Sequence, residues 1–215
     1  MNIGYIGLGL MGKPMAENIM KAGFDLIAHN RSQASVDALV KQGAKPAPNL
    51  PNLIKGADIV ITNLPDSPDV EEIALGENGV QAHGKPGLIF IDHSTIKPTV
   101  AIKIHNILYN KGIFSLDAPV SGGQVGAQQG TLTIMVGGDA ATLEKAMPVL
   151  RAEGKKITHV GSAGAGQVAK AANQIMVAAQ MAAMAELLIF SRKAGVEPSR
   201  VIEAIQSGAA QCWTL

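Results

Sequence analysis

The chain alternates short apolar segments with longer segments in which apolar residues recur at helical spacing. The short segments have the length and apolar content of buried β-strands, and they cover residues 2–6, 26–29, 59–63, 88–92, 114–117, 132–136 and 156–160. The segments that predict helices cover residues 14–22, 35–42, 70–74, 100–110 and 140–150. Because strands that alternate with helices build parallel sheets, the pattern predicts an α/β domain with a doubly wound sheet over residues 1–162.

The pattern changes after residue 162. Residues 164–195 contain no proline and many alanines, which predicts one helix of about 45 Å at about 1.5 Å per residue. Gly195 is a natural end for this helix, and Pro198 introduces a second predicted helix over residues 199–207. We therefore expect a long interdomain helix, followed by the start of an all-helical domain, over residues 163–215.

Residues 163–194 are apolar enough that a membrane span is an alternative. Polar side chains are nevertheless spread through the segment, and they include Lys170, Asn173, Gln174, Gln180 and Glu186. Such side chains are costly in lipid and ordinary on a helix of a soluble protein. We therefore predict a soluble helix and no membrane partner.

The composition narrows the class of function. Hydrophobic residues make up 47% of the 215 residues and charged residues 16%, which allows a sizeable core and disfavours disorder. A net charge of +1 without a lysine and arginine cluster argues against a nucleic-acid partner. The single cysteine, Cys212, and the lack of a secretory signal predict a reducing, cytoplasmic location. The histidines have no metal-ligand spacing, so we predict no metal site.

A glycine-rich turn follows the first predicted strand. It reads Gly7-Leu8-Gly9-Leu10-Met11-Gly12, a G-x-G-x-x-G motif between a strand and a helix. In such a motif Gly7 permits a tight turn, Gly9 lets a pyrophosphate approach the backbone, and Gly12 lets the helix pack closely on the strand. The motif and its context predict a Rossmann-like dinucleotide-binding domain, with the phosphates at the helix N-terminus.

The end of the second predicted strand bears on the choice of cofactor. An acidic residue there would bind the ribose 2′-hydroxyl of NAD, but this chain has Asn30 followed by Arg31. An arginine suits the 2′-phosphate of NADP, so we predict NADP, with NAD possible. The alternative is that Arg31 only faces solvent.

Two other loops carry candidate polar groups. Asp92-His93-Ser94-Thr95 and Asn63-Leu64-Pro65 lie at ends of predicted strands, where ligands bind to parallel sheets, although helix capping would equally explain their polar residues. Ser121-Gly122-Gly123 follows another strand and can direct successive N–H groups towards an anion such as a carboxylate. An ordinary turn is the alternative there.

The long helix carries its first charge at Lys170. Asn173 and Gln174 follow at i+3 and i+4 and therefore share its face of the helix. Near a helix N-terminus the dipole disfavours an ammonium and lowers its pKa, as a lysine that exchanges protons near neutral pH requires. The alternative is a solvated lysine beside apolar surface.

Three motifs together resemble the β-hydroxyacid dehydrogenase family. They occur in the family's order and at its separations: Gly7-Leu8-Gly9-Leu10-Met11-Gly12, Asp117-Ala118-Pro119-Val120-Ser121-Gly122-Gly123, and Gly161-x-x-Gly164-x-Gly166-x-x-x-Lys170-x-x-Asn173-Gln174. The resemblance covers the whole chain. The family includes 3-hydroxyisobutyrate dehydrogenases, tartronate semialdehyde reductases and, more distantly, 6-phosphogluconate dehydrogenase.

The resemblance implies a role for each group of residues. It implies that the cofactor is bound by Gly7, Leu8, Gly9, Leu10, Met11, Gly12, Asn30, Arg31, Leu64, Pro65 and Thr95. It implies that the substrate carboxylate is held by Ser121, Gly122 and Gly123, and that Asn173 and Gln174 orient the substrate. Lys170 is implied to be the catalytic acid and base.

The resemblance also implies an activity. Family members are NAD(P)-dependent oxidoreductases of small hydroxyacids and semialdehyde acids, and residues 121–132 are most similar to the tartronate semialdehyde reductases. We therefore expect reversible reduction of 2-hydroxy-3-oxopropionate to glycerate, with 3-hydroxyisobutyrate oxidation, and glyoxylate or succinic semialdehyde reduction, left open. A non-catalytic dinucleotide-binding module is the alternative from another class.

The resemblance further implies how the chain is assembled. Relatives are longer, so we expect the chain to stop inside a truncated C-terminal domain. Apolar surface on the long helix would then need another cover, and we expect a homo-oligomer, at least a dimer.

Overall fold

All 215 residues are described by a computed structural model, in which nine strands form one sheet. The strands are β1 Asn2–Ile6, β2 Asp25–His29, β3 Lys45–Pro46, β4 Ile59–Thr62, β5 Ile89–Asp92, β6 Phe114–Asp117, β7 Val120–Ser121, β8 Leu132–Gly138 and β9 Gly154–Gly161. The helices are α1 Gly12–Lys21, α2 Gln33–Val40, α3 Leu50–Gly56, α4 Ser67–Leu75, α5 Val80–His83, α6 Pro98–Tyr109, α7 Gly123–Gln129, α8 Ala140–Glu153, α9 Ala165–Lys193 and α10 Pro198–Ile205.

The first six strands form the parallel part of the sheet, in the order β3-β2-β1-β4-β5-β6. Their register pairs Ile6 with His29 and Thr62, Thr62 with Asp92, and Asp92 with Asp117. One row therefore crosses the carboxyl edge of the sheet, where ligands bind in doubly wound folds. The predicted α/β class with a doubly wound sheet is confirmed.

The sheet separates two apolar cores because successive side chains of each strand point to opposite faces. Ile59 and Ile61 of β4 pack into the core beneath α1, α2 and α8. Val60, between them, packs into the core beneath α3, α4 and α6. This arrangement explains why the central strands read as continuous apolar runs rather than as alternating ones.

The far end of the sheet departs from the parallel arrangement. β8 pairs antiparallel with β6 and with β7, and then parallel with β9. Five short elements are additional to the predicted ones: β3, β7, α3, α5 and α7. Each is too short to show a clear hydrophobic period, and α7 and β7 flank the stretch expected to be only a glycine turn.

The chain divides into two compact units, Met1–Lys170 and Ala171–Leu215. The first contains the sheet, and the second contains the greater part of α9 together with α10. The predicted limit between the domains was residue 162, and that limit stays a prediction.

Helix α9 is long and apolar enough to span a membrane by length and composition, with mean hydropathy 1.5 over its most apolar 18 residues. Only 6% of that window is buried, and large apolar side chains such as Ile175 and Phe190 are exposed. Length and composition are weak indicators of a span, so the absence of a membrane partner stays a prediction based on the helix's polar residues.

Candidate cofactor cleft and catalytic lysine

The glycine loop between β1 and α1 is shaped by three glycines with different surroundings. Gly7 has a φ of +94°, and a Cβ there would overlap the carbonyl oxygen of Asn63. A Cβ on Gly12 would overlap the carbonyl oxygen of Gly7, whereas a Cβ on Gly9 would meet nothing within 4 Å. Gly7 and Gly12 are therefore required by the protein's own packing, and the space beside Gly9 is open to a ligand.

The loop is attached to the end of β2 through Asn30. The backbone N–H of Leu8 donates to Asn30 Oδ1 at 3.1 Å, and Asn30 Nδ2 donates to the carbonyl of Ser32 at 3.2 Å. Leu8 itself is 2% exposed and packs in the apolar core. Its backbone shapes the loop, while its side chain is buried and does not line the cleft described next.

A cleft of about 590 Å³ opens beside this loop. Its size falls in the range of small-molecule sites. Residues from the ends of β1, β2 and β4 and from α4 line it, namely Ile6, Gly7, Gly9, Leu10, Met11, Gly12, His29, Asn30, Arg31, Asn63, Leu64, Pro65, Asp69, Glu72 and Ile73. The cleft therefore gathers all the predicted cofactor residues except Leu8 and Thr95.

Thr95 is an exposed residue of the loop between β5 and α6 and lies outside the lining of this cleft. Its cofactor role stays a prediction. The sequence reasoning had also left out Asp69, Glu72 and Ile73 of α4. Their signal was available, because helical spacing places residues 69, 72 and 73 on one face of a helix that starts at the carboxyl edge.

Charge on the rim of the cleft is carried by Arg31 and Asp69. The Arg31 side chain is 85% exposed, and its Nη1 lies 4.0 Å from Asp69 Oδ1. This separation and exposure make a weak ion pair. The guanidinium therefore stays available to an anionic ligand, and the carboxylate of Asp69 competes for it. His29 lies on the same rim, and partial burial lowers the pKa of its imidazole.

The start of α9 is fixed to the sheet by Asp117, the last residue of β6. Asp117 Oδ1 accepts from the N–H of Gly164 at 2.7 Å, and Oδ2 accepts from the N–H of Gln167 at 2.9 Å. Burial raises the pKa of this carboxyl despite those bonds. Gly166 permits the close approach, because a Cβ there would collide with the carbonyls of Asp117 and Met135.

A second buried side chain, that of Gln167, extends this attachment. Its Oε1 accepts from the N–H of Ile96 at 3.0 Å, and its Nε2 donates to the carbonyl of Ser94 at 2.8 Å. Nothing in the sequence pattern distinguished Gln167, because its partners lie 71 and 73 residues away.

Lys170 is half-buried in the second turn of α9. Burial lowers the pKa of its ammonium, since the charged form loses hydration. The lowered pKa of Lys170 agrees with the prediction from the sequence, but its cause is burial rather than the helix dipole. A carboxylate, that of Asp117, lies at the N-terminus of α9 and offsets the positive end of the helix dipole there.

The predicted anion turn ends β7 and begins α7. Gly122 and Gly123 have φ angles of +133° and +62°, so both positions favour glycine. Ser121 is half-buried and the two glycines are exposed. None of these residues lines the cleft described above, and their role towards a carboxylate stays a prediction.

Asn173 and Gln174 lie further along α9, in the second compact unit. Asn173 Nδ2 donates to Gln174 Oε1 at 2.9 Å. Asn173 is half-buried and Gln174 is exposed. Their role in orienting a substrate also stays a prediction.

Comparison with known families decides the identity of the chain. Residues 2–161 match the family described as the NAD binding domain of 6-phosphogluconate dehydrogenase. Residues 164–215 match the family described as NAD-binding of NADP-dependent 3-hydroxyisobutyrate dehydrogenase. The chain belongs to the β-hydroxyacid dehydrogenase family. It is accordingly an NAD(P)-dependent oxidoreductase of the class that acts on CH–OH groups.

Individual members of the β-hydroxyacid dehydrogenase family are similar over nearly the whole chain. An NAD-dependent L-serine dehydrogenase of Pseudomonas aeruginosa is 45% identical over 99% of this chain and 72% of its own length. A 2-hydroxy-3-oxopropionate reductase of Escherichia coli is 42% identical over 98% of this chain and 72% of its own length. A structure of Mycobacterium tuberculosis 3-hydroxyisobutyrate dehydrogenase with L-serine superposes with a TM-score of 0.92, at 37% identity, over 100% of this chain and 72% of that chain.

The cleft fits the dinucleotide that this family uses. The space beside Gly9 would admit a pyrophosphate against the backbone, and the N-terminus of α1, which has no side-chain cap, follows at once. Asn30 and Arg31 stand where a ribose and its phosphate would lie. The predicted NAD(P) cofactor is confirmed at the level of the class.

A buried cluster of ionisable groups lies where β5 and α8 end. His93 Nδ1 lies 2.6 Å from the carbonyl oxygen of Ala118, and Nε2 lies 3.1 Å from Glu153 Oε2. Burial opposes the charge on His93, but the Glu153 carboxylate and the Ala118 carbonyl outweigh burial and raise the pKa of the imidazole. Burial raises the pKa of neighbouring Asp92 to about 6, against hydrogen bonds from Ser94 and Thr62. No three His, Cys, Asp or Glu side chains of the chain are grouped to hold a metal ion.

Proposed function

We propose that this protein interconverts a 3-hydroxy acid and its 3-oxo acid, with reduction of 2-hydroxy-3-oxopropionate to glycerate as the reaction of best fit. The observation that carries the proposal is Lys170, a half-buried lysine whose pKa is lowered by burial on a helix attached to the carboxyl edge of the sheet. A lowered pKa makes such a lysine a better proton donor, and more readily an acceptor, than a fully solvated lysine.

The relatives support one chemical class of substrate. L-Serine, 3-hydroxyisobutyrate and glycerate, the product of 2-hydroxy-3-oxopropionate reduction, are each a 3-hydroxypropanoate with a different group on carbon 2. They share a carboxylate and a primary alcohol separated by one carbon. A site for this class needs an anion-binding turn, a proton donor and acceptor, and a surface that distinguishes the carbon 2 substituents.

Each part of the chain then has a task in the reaction. The bound nicotinamide cofactor supplies the reducing equivalent that converts the carbonyl carbon to an alcohol. Lys170 donates a proton to the substrate oxygen in reduction and accepts it in oxidation. The N–H groups of Ser121, Gly122 and Gly123 hold the carboxylate, so that the reacting carbon keeps one orientation.

The tartronate semialdehyde assignment is supported by the sequence of residues 121–132 and by the 42% identity to the E. coli reductase. A second candidate, oxidation of L-serine, is supported by the 45% identity to the P. aeruginosa enzyme. Both substrates have a polar group on carbon 2, whereas 3-hydroxyisobutyrate has a methyl group there. The choice between these two candidates therefore depends on whether the site recognises a hydroxyl or an amino group on carbon 2.

A substrate panel tests the proposal. Glycerate, L-serine, 3-hydroxyisobutyrate and a 4-hydroxy acid are oxidised with NADP and with NAD, and kcat/KM is read from nicotinamide absorbance. We expect glycerate to exceed the others and the 4-hydroxy acid to be the poorest, because its alcohol lies one carbon further from the carboxylate. Preference for L-serine would select the second candidate, and equal rates with the 4-hydroxy acid would contradict the substrate class.

We also propose that the protein is cytoplasmic and forms a homo-oligomer, at least a dimer. Exposed apolar side chains on α9 support association, among them Phe190, which is 73% exposed. Sedimentation equilibrium tests this proposal, and a single species of monomer mass at all concentrations would contradict it.

A further inference from the structure

The start of α9 is connected to the β5–α6 loop by one buried side chain. The two bonds of Gln167 go to the backbone of Ser94 and of Ile96, the residues on either side of Thr95. Gln167 is 1% exposed, so no bulk water competes for these bonds. The amide therefore holds the backbone on both sides of Thr95 while the Thr95 side chain stays exposed.

The backbone of Gln167 is itself held in place. Its N–H donates to Asp117 Oδ2 at 2.9 Å, while Asp117 Oδ1 accepts from Gly164 at 2.7 Å. These bonds fix the first turn of α9 to the end of β6. The helix start cannot turn or slide without breaking bonds to β6 and to the β5–α6 loop at the same time.

Lys170 follows Gln167 by three residues in the same helix. Residues at that spacing lie on the same side of a helix, one turn apart. A short path of buried hydrogen bonds and one helical turn therefore joins the loop that carries Thr95 to the turn that carries Lys170.

We propose that Gln167, with its backbone held by Asp117, is a positioning residue that sets where Lys170 stands relative to the β5–α6 loop. The side chains of Gln167 and Asp117 do not act on a reacting atom themselves, because both are hydrogen-bonded to backbone groups. The inference rests on the proposed role of Lys170 as proton donor and acceptor. Gln167 would make the position of Lys170 depend on the β5–α6 loop, which carries the predicted cofactor residue Thr95.

The test replaces Gln167 by methionine, which keeps the length and most of the volume and removes both hydrogen bonds. Asp117→Asn is a second, milder variant, because it loosens the same helix start from the side of β6. The matched control is Asp139→Ala. Asp139 caps α8 through the N–H of Thr142 at 2.9 Å, so its removal also frees a helix start but leaves α9 untouched.

The first measurement does not depend on turnover. Lysines are labelled by reductive methylation with ¹³C, the Lys170 signal is assigned by its loss in Lys170→Arg, and its pKa is read from a pH titration. We expect Gln167→Met to raise the pKa of Lys170 by at least about half a unit, because a loosened helix start hydrates the ammonium. Asp117→Asn is assessed by kcat, which should also fall, because loss of its carboxylate changes the charge at the helix start and so alters the pKa of Lys170 for another reason. Asp139→Ala should leave the pKa of Lys170 unchanged.

The second measurement separates positioning from cofactor binding. We expect Gln167→Met to lower kcat by about tenfold or more, with the Kd for NADPH from fluorescence titration within about threefold of the wild type. If Gln167→Met and Asp139→Ala have the same thermal stability, the same Lys170 pKa and the same kcat, the inference is overturned. Full turnover in Lys170→Ala would instead contradict the proposed function, so the two failures are distinguishable.

Discussion

The glycine loop offers a test in which two neighbouring substitutions of the same kind have opposite consequences. Gly9→Ala adds a methyl group to open space beside the cleft, whereas Gly12→Ala adds one against the carbonyl oxygen of Gly7. Gly9 has a backbone conformation that alanine also adopts, since its φ is not positive. Gly9→Ala should therefore fold normally and bind the cofactor more weakly, and Gly12→Ala should lose stability.

The sizes of both effects follow from the contacts. Overpacking in a closely packed region costs about 1–3 kcal/mol, and we expect Gly12→Ala to lie at the upper end because its obstacle is backbone rather than a flexible side chain. Gly9→Ala should change the free energy of unfolding by less than about 1 kcal/mol, in the stabilising direction, since alanine restricts the unfolded chain. Its methyl group would stand where a pyrophosphate approaches, so we expect the Kd for NADPH to rise about tenfold or more, equivalent to about 1.4 kcal/mol.

Urea unfolding gives the stability of each variant, and NADPH fluorescence titration gives its affinity. Both measurements are needed, because a variant that is partly unfolded binds NADPH weakly whether or not its cofactor site has changed. Normal NADPH affinity in Gly9→Ala would refute the assignment of this loop to the pyrophosphate. Unchanged stability in Gly12→Ala would refute the close-packing role of the third glycine.

Two further predictions concern charge. Arg31→Ala should raise the Kd for NADPH about tenfold and leave the Kd for NADH within about threefold, because the guanidinium would bind mainly the 2′-phosphate that only NADPH carries. Asp69→Asn should lower the Kd for NADPH, since the competing carboxylate is removed. Equal losses of affinity for the two cofactors in Arg31→Ala would contradict the NADP prediction. Asp92 has a pKa of about 6 in the folded protein, which is above its unfolded value. Its contribution to the free energy of unfolding, about 3 kcal/mol, is therefore fully present below about pH 4 and is lost as the pH rises through about 6. His93, whose pKa is also raised, acts in the same direction. In urea unfolding, Asp92→Asn should flatten this decline between pH 4 and 7, and an unchanged slope would show that the carboxyl is not its source.

The sheet and the glycine loop could be predicted from sequence because their signals are local. The central strands β1, β4 and β5 are largely apolar runs, and Gly7 to Gly12 occupy six consecutive positions between a strand and a helix. Rules for parallel sheets then place the ends of β1, β2 and β4 at one edge. Most of the cofactor cleft follows from these two facts.

The attachment of α9 could not be predicted in that way. Asp117 ends a predicted strand and Gln167 lies near the start of a predicted helix, but their bonds join residues 47 to 73 positions apart. No periodicity pairs such residues, and a buried glutamine resembles a solvated one in sequence. The cause of the lowered pKa of Lys170 was hidden for the same reason, because burial depends on the tertiary packing of the helix start.

The proton-transfer role of Lys170 is tested most directly by comparing two lysines of α9. Lys193 is exposed in the last turn of the helix and serves as the control for loss of one positive charge. Lys170→Ala should keep the wild-type Kd for NADPH and lower kcat by about 10²–10⁴-fold, while Lys193→Ala should retain wild-type kcat. A Lys170→Ala protein with kcat within about threefold of Lys193→Ala would contradict the account.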